Sequence, residues 1–478
     1  MKKTKIVCTM GPNTNDKNLM RSLVENGMDI ARFNFSHGDH AEQKERMDML
    51  KSIREEAGKP VAILLDTKGP EIRTGLLKDG KSVELVEGQT FVLTTEEIEG
   101  DDKKVSITYD GLVEDVEIGK RILIDDGLIE LEVKRITASE IICTVINGGE
   151  LGQRKGVNVP NVPVRLPALT EKDRQDIIFG VEQGVDFIAA SFVRSVEGVL
   201  EIKALLKECG APYLPVIAKI ENAEGIKNID EIIRCADGIM VARGDLGVEI
   251  PPQEVPYLQK MLIQKCNDNF KPVITATQML DSMIRNPRPT RAEVTDVANA
   301  VYDGTDAVML SGETAQGKYP VEALQMMVQI VENTEQHLDY DMLLEKSQEY
   351  RKRSISSAIG YSSVAAAASL NAKCIITPSV TGATARVVSK FRPKADIIGV
   401  SPNEETLRRM QIYRGVYPMK SISYMTTEEI FEESIDLITA KNIVETGDVV
   451  VVTAGIPSQT IRSAREGMSN MMRIAIVE

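Results

Sequence analysis

The sequence lacks several patterns that would assign it to a protein class at once. It has no run of 18 apolar residues, so we predict no transmembrane helix, and the apolar run after its lysine-rich start is too short for a signal peptide. Its six cysteines form no C-x-x-C pair, and its three histidines, His37, His40 and His337, do not resemble a metal cluster. Scattered cysteines are typical of a reducing compartment, so we expect a cytoplasmic protein.

Excess positive charge is also missing. The net charge of −14 argues against a nucleic acid or an anionic membrane as the main partner, although a local basic pocket remains open. Neither a Walker A pattern nor G-x-G-x-x-G occurs, so any nucleotide must be held by dispersed basic groups. With 478 residues, 42% hydrophobic and 27% charged, the chain is an ordinary globular one of two to four domains.

The strongest chemical signal lies in residues 215–251. Two apolar runs of strand length end in charged groups, one in KIE at 219–221 and the other in RGDLG at 243–247. This pattern is typical of buried parallel strands with chemistry at their carboxyl ends. Glu221 and Asp245 on neighbouring strand ends can hold one Mg²⁺, and Lys219 beside them can stabilise a phosphoryl group in transfer. A salt bridge at a barrel rim is the alternative.

Strand-length apolar runs alternate with helical patterns over much of the chain. Eight such runs lie at 4–10, 29–35, 61–67, 187–192, 215–220, 238–242, 272–277 and 307–310. They predict an α/β protein with a closed (β/α)8 TIM barrel. Residues 70–166 instead alternate with period two, which predicts an inserted antiparallel β-barrel that acts as a lid, with hinges at Gly69-Pro70 and 160–167.

The last part of the chain forms a further domain in this interpretation. Residues 338–352 are rich in charge and are predicted to be a connector, and an alanine-rich helix is predicted at 355–370. Five strands are predicted at 373–377, 396–400, 415–418, 448–453 and 472–477. The predicted domains are therefore a catalytic barrel (1–69 and 167–340), the lid (70–166) and a separate C-terminal α/β domain (341–478).

Other strand ends also carry polar groups. Arg32 suits bidentate binding of a phosphate, and the backbone N–H groups of Gly244 and Asp245 can take a carboxylate. A further oxygen-rich set is adequate for a monovalent cation, or else forms a hydrogen-bond network. Its members are Asn34, Ser36, Asp66 and Thr67.

The segment SVTGAT at 379–384 combines small residues, hydroxyls and a glycine before a predicted helix near residue 385. This composition predicts an anion-binding nest, and an ordinary N-capped helix start is the alternative. Arg386, Lys390 and Arg392 add positive charge nearby. The candidate effector-binding residues are Ser379, Thr381, Gly382 and Thr384.

Three long motifs closely resemble pyruvate kinase: IAKIEN (217–222), MVARGDLGVEIP (240–251) and PVITATQMLDSM (272–283). The resemblance runs from KIVCTMGPN (5–13) to the loop near Gly382. It implies a Mg²⁺- and K⁺-dependent phosphotransferase that moves phosphate from phosphoenolpyruvate to ADP, giving pyruvate and ATP in the last step of glycolysis. It also implies a homotetramer. The chain ends at Glu478 without the phosphohistidine-like domain that some bacterial members carry.

The resemblance also implies roles for single residues. Glu221 and Asp245 would hold Mg²⁺, and Lys219 would stabilise the transferring phosphoryl group and the enolate behind it. Arg32 would contact phosphoenolpyruvate. Thr277 would donate a hydroxyl to the substrate carboxylate, and protonation of the enolate would run through water near it from a donor that stays open.

The same resemblance implies the remaining sites. It places K⁺ at the oxygen-rich set, and Glu71 supports this because potassium-independent members carry lysine there. Arg73, Lys155 and His37 would contact the nucleotide. The 379–384 loop would bind a sugar-phosphate activator, although Ala383 replaces a hydroxyl residue of some members, which weakens the identification of fructose 1,6-bisphosphate. Rival interpretations are another phosphoenolpyruvate-using barrel, such as an aldolase, or a catalytically silent phosphosugar sensor.

Overall fold

The structure, a computed structural model, describes residues 2–421, 427–455 and 469–478. Strands and helices alternate from the start of the chain. The first five elements are β1 (Lys5–Met10), α1 (Lys17–Glu25), β2 (Ile30–Asn34), α2 (His40–Ala57) and β3 (Ala62–Asp66). Both helices begin where the sequence offers an aspartate cap: Asp16 accepts a hydrogen bond from the backbone of Asn18, and Asp39 accepts one from the backbone of Glu42.

An inserted segment of short strands follows β3. Its strands are β4 (Ile72–Arg73), β5 (Val83–Leu85), β6 (Thr90–Thr94), β7 (Lys104–Ser106), β8 (Arg121–Ile124), β9 (Ile129–Ile136), β10 (Glu140–Asn147), β11 (Gly149–Leu151) and β12 (Gly156–Asn158). Seven of them form one curled sheet in the order β4-β12-β8-β9-β10-β6-β7. Neighbouring strands are antiparallel except for the parallel pair β6–β7. Strands β5 and β11 form a separate two-stranded sheet. Alternate side chains fill one apolar core, as the period-two pattern predicts.

The alternation of helix and strand then resumes. The elements are α4 (Glu171–Gln183), β13 (Phe187–Ala190), α5 (Val196–Glu208), β14 (Val216–Ile220), α6 (Ala223–Lys227), α7 (Ile229–Cys235), β15 (Gly238–Ala242), α8 (Arg243–Glu249), α9 (Val255–Asp268), β16 (Val273–Ala276), α10 (Arg291–Asp303), β17 (Ala307–Leu310), α11 (Gly312–Ala315) and α12 (Pro320–Gln336), with α3 (Leu112–Asp115) inside the insertion. Eight strands close into a barrel in the order β1-β17-β16-β15-β14-β13-β3-β2. The predicted TIM barrel is therefore confirmed.

A repeated aspartate stands directly before every second barrel strand. Its side chain accepts a hydrogen bond from a backbone N–H at or near the start of the adjoining strand, at 2.7 to 3.0 Å in the four cases Asp29–Ile6, Asp186–Ile63, Asp237–Val216 and Asp306–Val273. Each aspartate also faces a cation, namely Lys2, Arg408, Lys203 and Lys390 respectively. These carboxylates satisfy backbone donors at the amino ends of the strands.

The C-terminal part of the chain is a second α/β structure. Its elements are α13 (Tyr340–Lys346), α14 (Ile355–Ser369), β18 (Cys374–Pro378), α15 (Ala383–Lys390), β19 (Asp396–Ser401), α16 (Glu404–Arg409), β20 (Val416–Lys420), α17 (Thr427–Ala440), β21 (Val449–Ala454) and β22 (Met471–Ile476). The sheet order is β20-β19-β18-β21-β22, parallel except for the antiparallel pair β21–β22. The separate C-terminal α/β domain of the predicted fold is confirmed.

Some local predictions were wrong. The charged segment 338–352 is helical rather than a plain connector, because Asp339 caps α13 by accepting a hydrogen bond from Met342 N. Gly244 and Asp245, whose backbone N–H groups are predicted to take a carboxylate, lie in the helix α8 rather than in a turn. The insertion, predicted to be all β, also holds the one-turn helix α3. Among the described residues, no helix is both long and apolar enough to cross a membrane.

Two compact units are present, and the contacts discussed below each lie within one of them. The first comprises Met1–Leu65, Glu182–Ile188 and Ile263–Glu478, and the second comprises Asp66–Val181 and Ala189–Leu262. The finer division into barrel, lid and C-terminal domain stays a prediction.

Candidate active site

Lys219 occupies the centre of a buried polar cluster at the carboxyl end of β14. Its Nζ donates to Asp66 Oδ1 at 3.0 Å and to Ser191 Oγ at 2.8 Å, and it lies 3.0 Å from Glu221 Oε1. The side chain is only 10% exposed, and both carboxylates are buried. Two buried carboxylates and a hydroxyl therefore fix this ammonium in position.

Glu221 is held from a second direction by an unusual backbone. Phe192 has a φ of 53°, a left-handed conformation that side chains rarely adopt, and its backbone N donates to Glu221 Oε2 at 2.5 Å. Strain of this kind is concentrated at functional sites. Glu221 therefore has one oxygen on Lys219 and the other on the β13 end, so its position is fixed.

Asp245 lies in the first turn of α8 in a strongly negative environment. Burial, followed by the Glu221 carboxylate, raises the pKa of Asp245 to about 7, and Lys219 opposes this rise. Asp126 and Glu71 add further negative charge. A bound cation would relieve this repulsion. Within the described residues no three His, Cys, Asp or Glu side chains group as metal ligands. Glu221 and Asp245 are carboxylates, and Mg²⁺ prefers hard oxygen ligands of this kind.

Ser191 and Thr67 connect the cluster to the start of the insertion. Ser191 Oγ lies 2.6 Å from Thr67 O, and Ser191 N donates to Thr67 Oγ1 at 3.1 Å. Gly69 follows with a φ of 72°, and a Cβ there would lie 2.7 Å from the Cβ of Ser191. A side chain at this predicted hinge would therefore be strained and would collide with the site.

A cavity of about 620 Å³ lies beside Asp245, in the range of ligand-binding pockets. Arg73 and Lys155 both line it, as do Asp245 and Glu249. Arg73 is paired with Glu71 at 2.7 Å and Lys155 with Asp125 at 2.9 Å. Two of the three predicted nucleotide residues are thus brought to one cavity together with a predicted metal ligand.

The other unit carries the remaining barrel residues at strand ends. Arg32 lies in β2, and its Nη1 donates to Thr9 Oγ1 at 3.0 Å. Asn34 Oδ1 accepts a hydrogen bond from Ser36 N at 3.1 Å, and His37 next to them is exposed. Of the predicted K⁺ set, Asn34 and Ser36 belong to the first unit, and Asp66 and Thr67 belong to the second.

Thr277 directly follows β16 with a φ of 68°, which is a rare conformation for a β-branched residue. Its Oγ1 donates to Ala276 O at 2.7 Å, and the next residue, Gln278, also has a positive φ. The local backbone is therefore strained where the sequence predicts a substrate contact.

The predicted effector residues surround the start of α15. Gly382, with a φ of 77°, is the N-cap residue, Thr381 is exposed, and Ser379 is half-buried. Thr384 is buried, and its Oγ1 accepts a hydrogen bond from Ser469 Oγ at 2.8 Å. A nest of backbone N–H groups is compatible with this geometry.

Lys390 and Arg392 do not supply the positive charge near this loop that the sequence predicted. Lys390 Nζ contacts Asp306 Oδ2 at 2.5 Å, and Arg392 Nη2 donates to Asn267 Oδ1 at 3.0 Å. Both side chains are buried, and their charged ends contact Asp306 and Asn267 rather than solvent. That expectation was wrong.

Sequence reasoning missed Ser191 and the second role of Asp66. Both residues contact Lys219. The sequence predicted Asp66 only as an oxygen ligand of K⁺. The signal for Ser191 was present: it is the first polar residue after the apolar run FIAA, in the same position as the polar residues after β2 and β3. Phe192 could not have been found, since its role depends on its backbone conformation.

The fold and the site together define a TIM-barrel protein with a buried lysine that pairs with two buried carboxylates at the carboxyl ends of the strands. The model of the pyruvate kinase barrel domain matches residues 1–324, and that of the pyruvate kinase alpha/beta domain matches residues 357–475. A pyruvate kinase of Geobacillus stearothermophilus is 52% identical over 478 residues, which cover 100% of this chain and 80% of that protein. One of Clostridium acetobutylicum is 50% identical over 479 residues, with 100% of both chains covered.

A solved structure gives the same result. The crystal structure of a pyruvate kinase from Cryptosporidium parvum has a TM-score of 0.94 and 40% sequence identity, and covers 100% of this chain and 96% of its own. The chain therefore belongs to the pyruvate kinase family, and it is a phosphotransferase with pyruvate kinase activity.

Proposed function

We propose that the chain transfers phosphate from phosphoenolpyruvate to ADP with Mg²⁺ and K⁺ as cofactors, in the last step of glycolysis. The observation that carries this proposal is the position of Lys219 between Asp66, Ser191 and Glu221. Phosphoryl transfer needs positioning and neutralisation of charge more than covalent chemistry. A rigid buried ammonium meets that need, because it requires no reorganisation as negative charge develops.

Each substrate-contacting residue has a defined task. Arg32 binds the phosphate of phosphoenolpyruvate, and Gly244 and Asp245 offer backbone N–H groups to its carboxylate. Thr277 donates its hydroxyl to the same carboxylate. Lys219 stabilises charge on the transferring phosphoryl group and on the enolate oxygen that remains. The proton that converts the enolate to pyruvate then arrives through water near Thr277.

Glu221 and Asp245 hold the Mg²⁺ in this proposal. The raised pKa of Asp245 supports it, because burial and then the neighbouring Glu221 carboxylate both disfavour its negative charge when no cation is bound. When bound, the metal would supply positive charge that neutralises the negative charge of the substrate. Glu221 is kept in place by Lys219 and by the Phe192 backbone, so only its remaining lone pairs are available for a cation.

The K⁺ site is proposed at Asn34, Ser36, Asp66 and Thr67. One carboxylate among neutral oxygens suits a monovalent cation. Asp66 already pairs with Lys219, so it would serve both cations. Glu71 adds negative charge for the K⁺ in this proposal. It also contacts Arg73, so it orients one of the proposed nucleotide-binding cations as well.

ADP occupies the cavity of about 620 Å³ in this proposal. Arg73 and Lys155 exchange their partners Glu71 and Asp125 for the phosphates of the nucleotide. His37 is proposed as a further nucleotide contact. Charge-assisted bonds of guanidinium and ammonium groups to phosphate are the strong ones. This arrangement accounts for nucleotide binding without a Walker A loop.

A sugar phosphate is the proposed activator, bound at Ser379, Thr381, Gly382 and Thr384. The left-handed Gly382 and the exposed Thr381 support an anion site at the start of α15. Because Thr384 is buried, Thr381→Glu is the cleaner variant for repelling a phosphate than Thr384→Glu. Typical coupling of 1–3 kcal/mol predicts a shift of about 5- to 150-fold in affinity for phosphoenolpyruvate.

A homotetramer is proposed as well, and the edge of the C-terminal sheet supports it. β22 is the last strand in the sheet order and carries two exposed apolar side chains, Ile474 and Ile476. An exposed apolar edge strand is a natural surface for pairing with a second copy. A cytoplasmic location agrees with the free cysteines.

Pyruvate release in a coupled assay tests the proposal. Wild-type protein is supplied with phosphoenolpyruvate and ADP, and Mg²⁺, K⁺, fructose 1,6-bisphosphate and ribose 5-phosphate are each added or omitted. We expect turnover to require both ions and a sugar phosphate to lower the half-saturating phosphoenolpyruvate concentration. Turnover that is complete without K⁺, or saturation curves that superimpose with every effector, would remove the corresponding assignment. Thr381→Glu should lose the response to the activator but keep its maximal rate.

A further inference from the structure

One hydrogen bond joins the inserted sheet to the helix that carries Asp245. Asn158, the last residue of β12, donates its side-chain amide Nδ2 to Glu249 Oε1 at 2.9 Å. Glu249 is the last residue of α8, and both residues line the cavity of about 620 Å³. The contact therefore lies at the ligand cavity, and it is made by side chains whose backbones belong to different structural elements.

The strand β12 and the helix α8 each lie next to a group with a proposed role in the reaction. Lys155 directly precedes β12, three residues before Asn158, and it is the proposed nucleotide cation. Asp245 lies four residues before Glu249 in α8, which places both carboxylates on one face of the helix. The strand β12 is itself fixed by antiparallel pairing with β4 and β8. A contact between Asn158 and Glu249 therefore limits how far Lys155 can move away from Asp245.

The environment of Glu249 makes this hydrogen bond consequential. Burial raises the pKa of Glu249, and the Asn158 hydrogen bond and the Arg194 charge oppose that rise. Burial in turn lowers the pKa of Arg194. A carboxylate that is removed from water depends on the few partners it has. Loss of Asn158 would leave Glu249 only the more distant guanidinium charge.

We propose that Asn158 and Glu249 form a latch that holds the inserted sheet on α8 and so positions Lys155 relative to Asp245 for phosphate transfer to the nucleotide. This inference rests on the proposed function, because it takes Lys155 as a nucleotide contact and Asp245 as a metal ligand. Asn158 and Glu249 are positioning residues, since they act through these two groups. The latch favours the arrangement that binds ADP and leaves the phosphoenolpyruvate contacts unchanged.

Breaking the latch should therefore weaken ADP binding selectively. A hydrogen bond to a charged group contributes enough to change an equilibrium by about tenfold or more. We expect Asn158→Ala and Glu249→Ala each to raise the KM for ADP by about tenfold. The KM for phosphoenolpyruvate and kcat at saturating ADP should change less than threefold, because bound ADP restores the same arrangement.

Three further variants make the test specific. Glu249→Gln keeps an acceptor oxygen of the same size, so its KM for ADP should stay within threefold of wild type. The double variant Asn158→Ala/Glu249→Ala should be no worse than the worse single variant, because both remove one contact. Asn147→Ala is the matched control: Asn147 donates to Leu128 O inside the insertion, so its loss leaves the latch intact and the KM for ADP unchanged.

The experiment measures both KM values and kcat for all variants, with ADP dissociation constants from calorimetry as a second readout. Three results would each overturn the latch. The first is a double variant whose KM for ADP rises by the product of the two single effects, and the second is an equal rise of both KM values. The third is a Glu249→Gln variant whose KM for ADP rises as much as that of Glu249→Ala. Should Glu249→Ala not fold, Asn158→Ala with Glu249→Gln carries the test. A wild type that does not turn over phosphoenolpyruvate with ADP would refute the proposed function instead, whereas an active wild type with unaffected variants would refute the latch alone.

Discussion

Lys390→Met removes the cation that faces the buried carboxylate of Asp306. Lys390 Nζ lies 2.5 Å from Asp306 Oδ2, which also accepts a hydrogen bond from Val273 N at 2.9 Å. Both side chains of the pair are at most 1% exposed. Burial lowers the pKa of Lys390, and the Asp306 carboxylate opposes this effect, so the ammonium depends on its partner.

The magnitude follows from what remains after the substitution. Removing one partner of a buried ion pair typically destabilises by about 3–5 kcal/mol, because the other charge is left uncompensated. Arg392 Nη2 lies 3.7 Å from Asp306 Oδ1 and compensates part of that charge. We therefore expect about 3 kcal/mol, which corresponds to roughly 100-fold in a local opening equilibrium.

Hydrogen exchange read by mass spectrometry is the appropriate assay, because a chain of 478 residues need not unfold in a single step. Peptides from β16, β17 and α15 should exchange about 100-fold faster in Lys390→Met. Lys373→Met, at an exposed lysine of the C-terminal domain, is the control and should exchange as wild type does. Adding Asp306→Asn to Lys390→Met should restore much of the protection, since no unpaired charge is then buried. Exchange within threefold of wild type in the single variant would refute this reasoning.

Further predictions concern the ions and the effect of pH. Glu221→Gln and Asp245→Asn should each raise the Mg²⁺ concentration needed for half-maximal activity, and unchanged Mg²⁺ titrations of both would place the metal elsewhere. Glu71→Lys should reduce the K⁺ requirement, measured in K⁺-free buffer, and should raise the KM for ADP because Arg73 loses its partner. Burial lowers the pKa of Lys5 to about 8, so between pH 8 and about 10.4 the unfolded chain binds more protons and stability rises with pH. The free energy of local opening of β1, measured by hydrogen exchange and corrected for the pH dependence of the intrinsic rate, should show this gain, about 3 kcal/mol at most, in wild type and not in Lys5→Met.

The sequence predicted the barrel because its signal is local and repeated. Each of the eight apolar runs is bounded by helical patterns, and fully buried strands such as Val216–Ile220 carry apolar residues almost throughout. An aspartate directly before β2, β13, β15 and β17 is a further repeated signal for the starts of these strands. An acidic residue directly before an apolar run marks a strand start, because its carboxylate bonds to the neighbouring backbone.

The contacts of the site could be predicted only in part. Lys219, Glu221 and Asp245 were found because charges at strand ends are visible in the sequence. The pairing of Lys219 with Asp66 was not predicted, because the two residues are 153 positions apart in the chain. Their strands, β14 and β3, come close only because both lie beside β13 in the closed barrel. The burial of Lys390 was missed for the same reason: a lysine in a helix looks solvent-exposed until its long-range partner is known.

The turnover number of Lys219→Met tests the central claim most directly. The claim is that a lysine fixed by Asp66, Ser191 and Glu221 stabilises the phosphoryl group in transfer. We predict that kcat falls by about 10²–10³ or more, while phosphoenolpyruvate binds with nearly unchanged affinity. Lys203→Met is the control, because it removes a lysine paired with Asp237 at the start of β15. It should keep the wild-type kcat, which would show that loss of a paired lysine does not by itself lower kcat. A folded Lys219→Met protein with kcat within threefold of wild type would contradict the account.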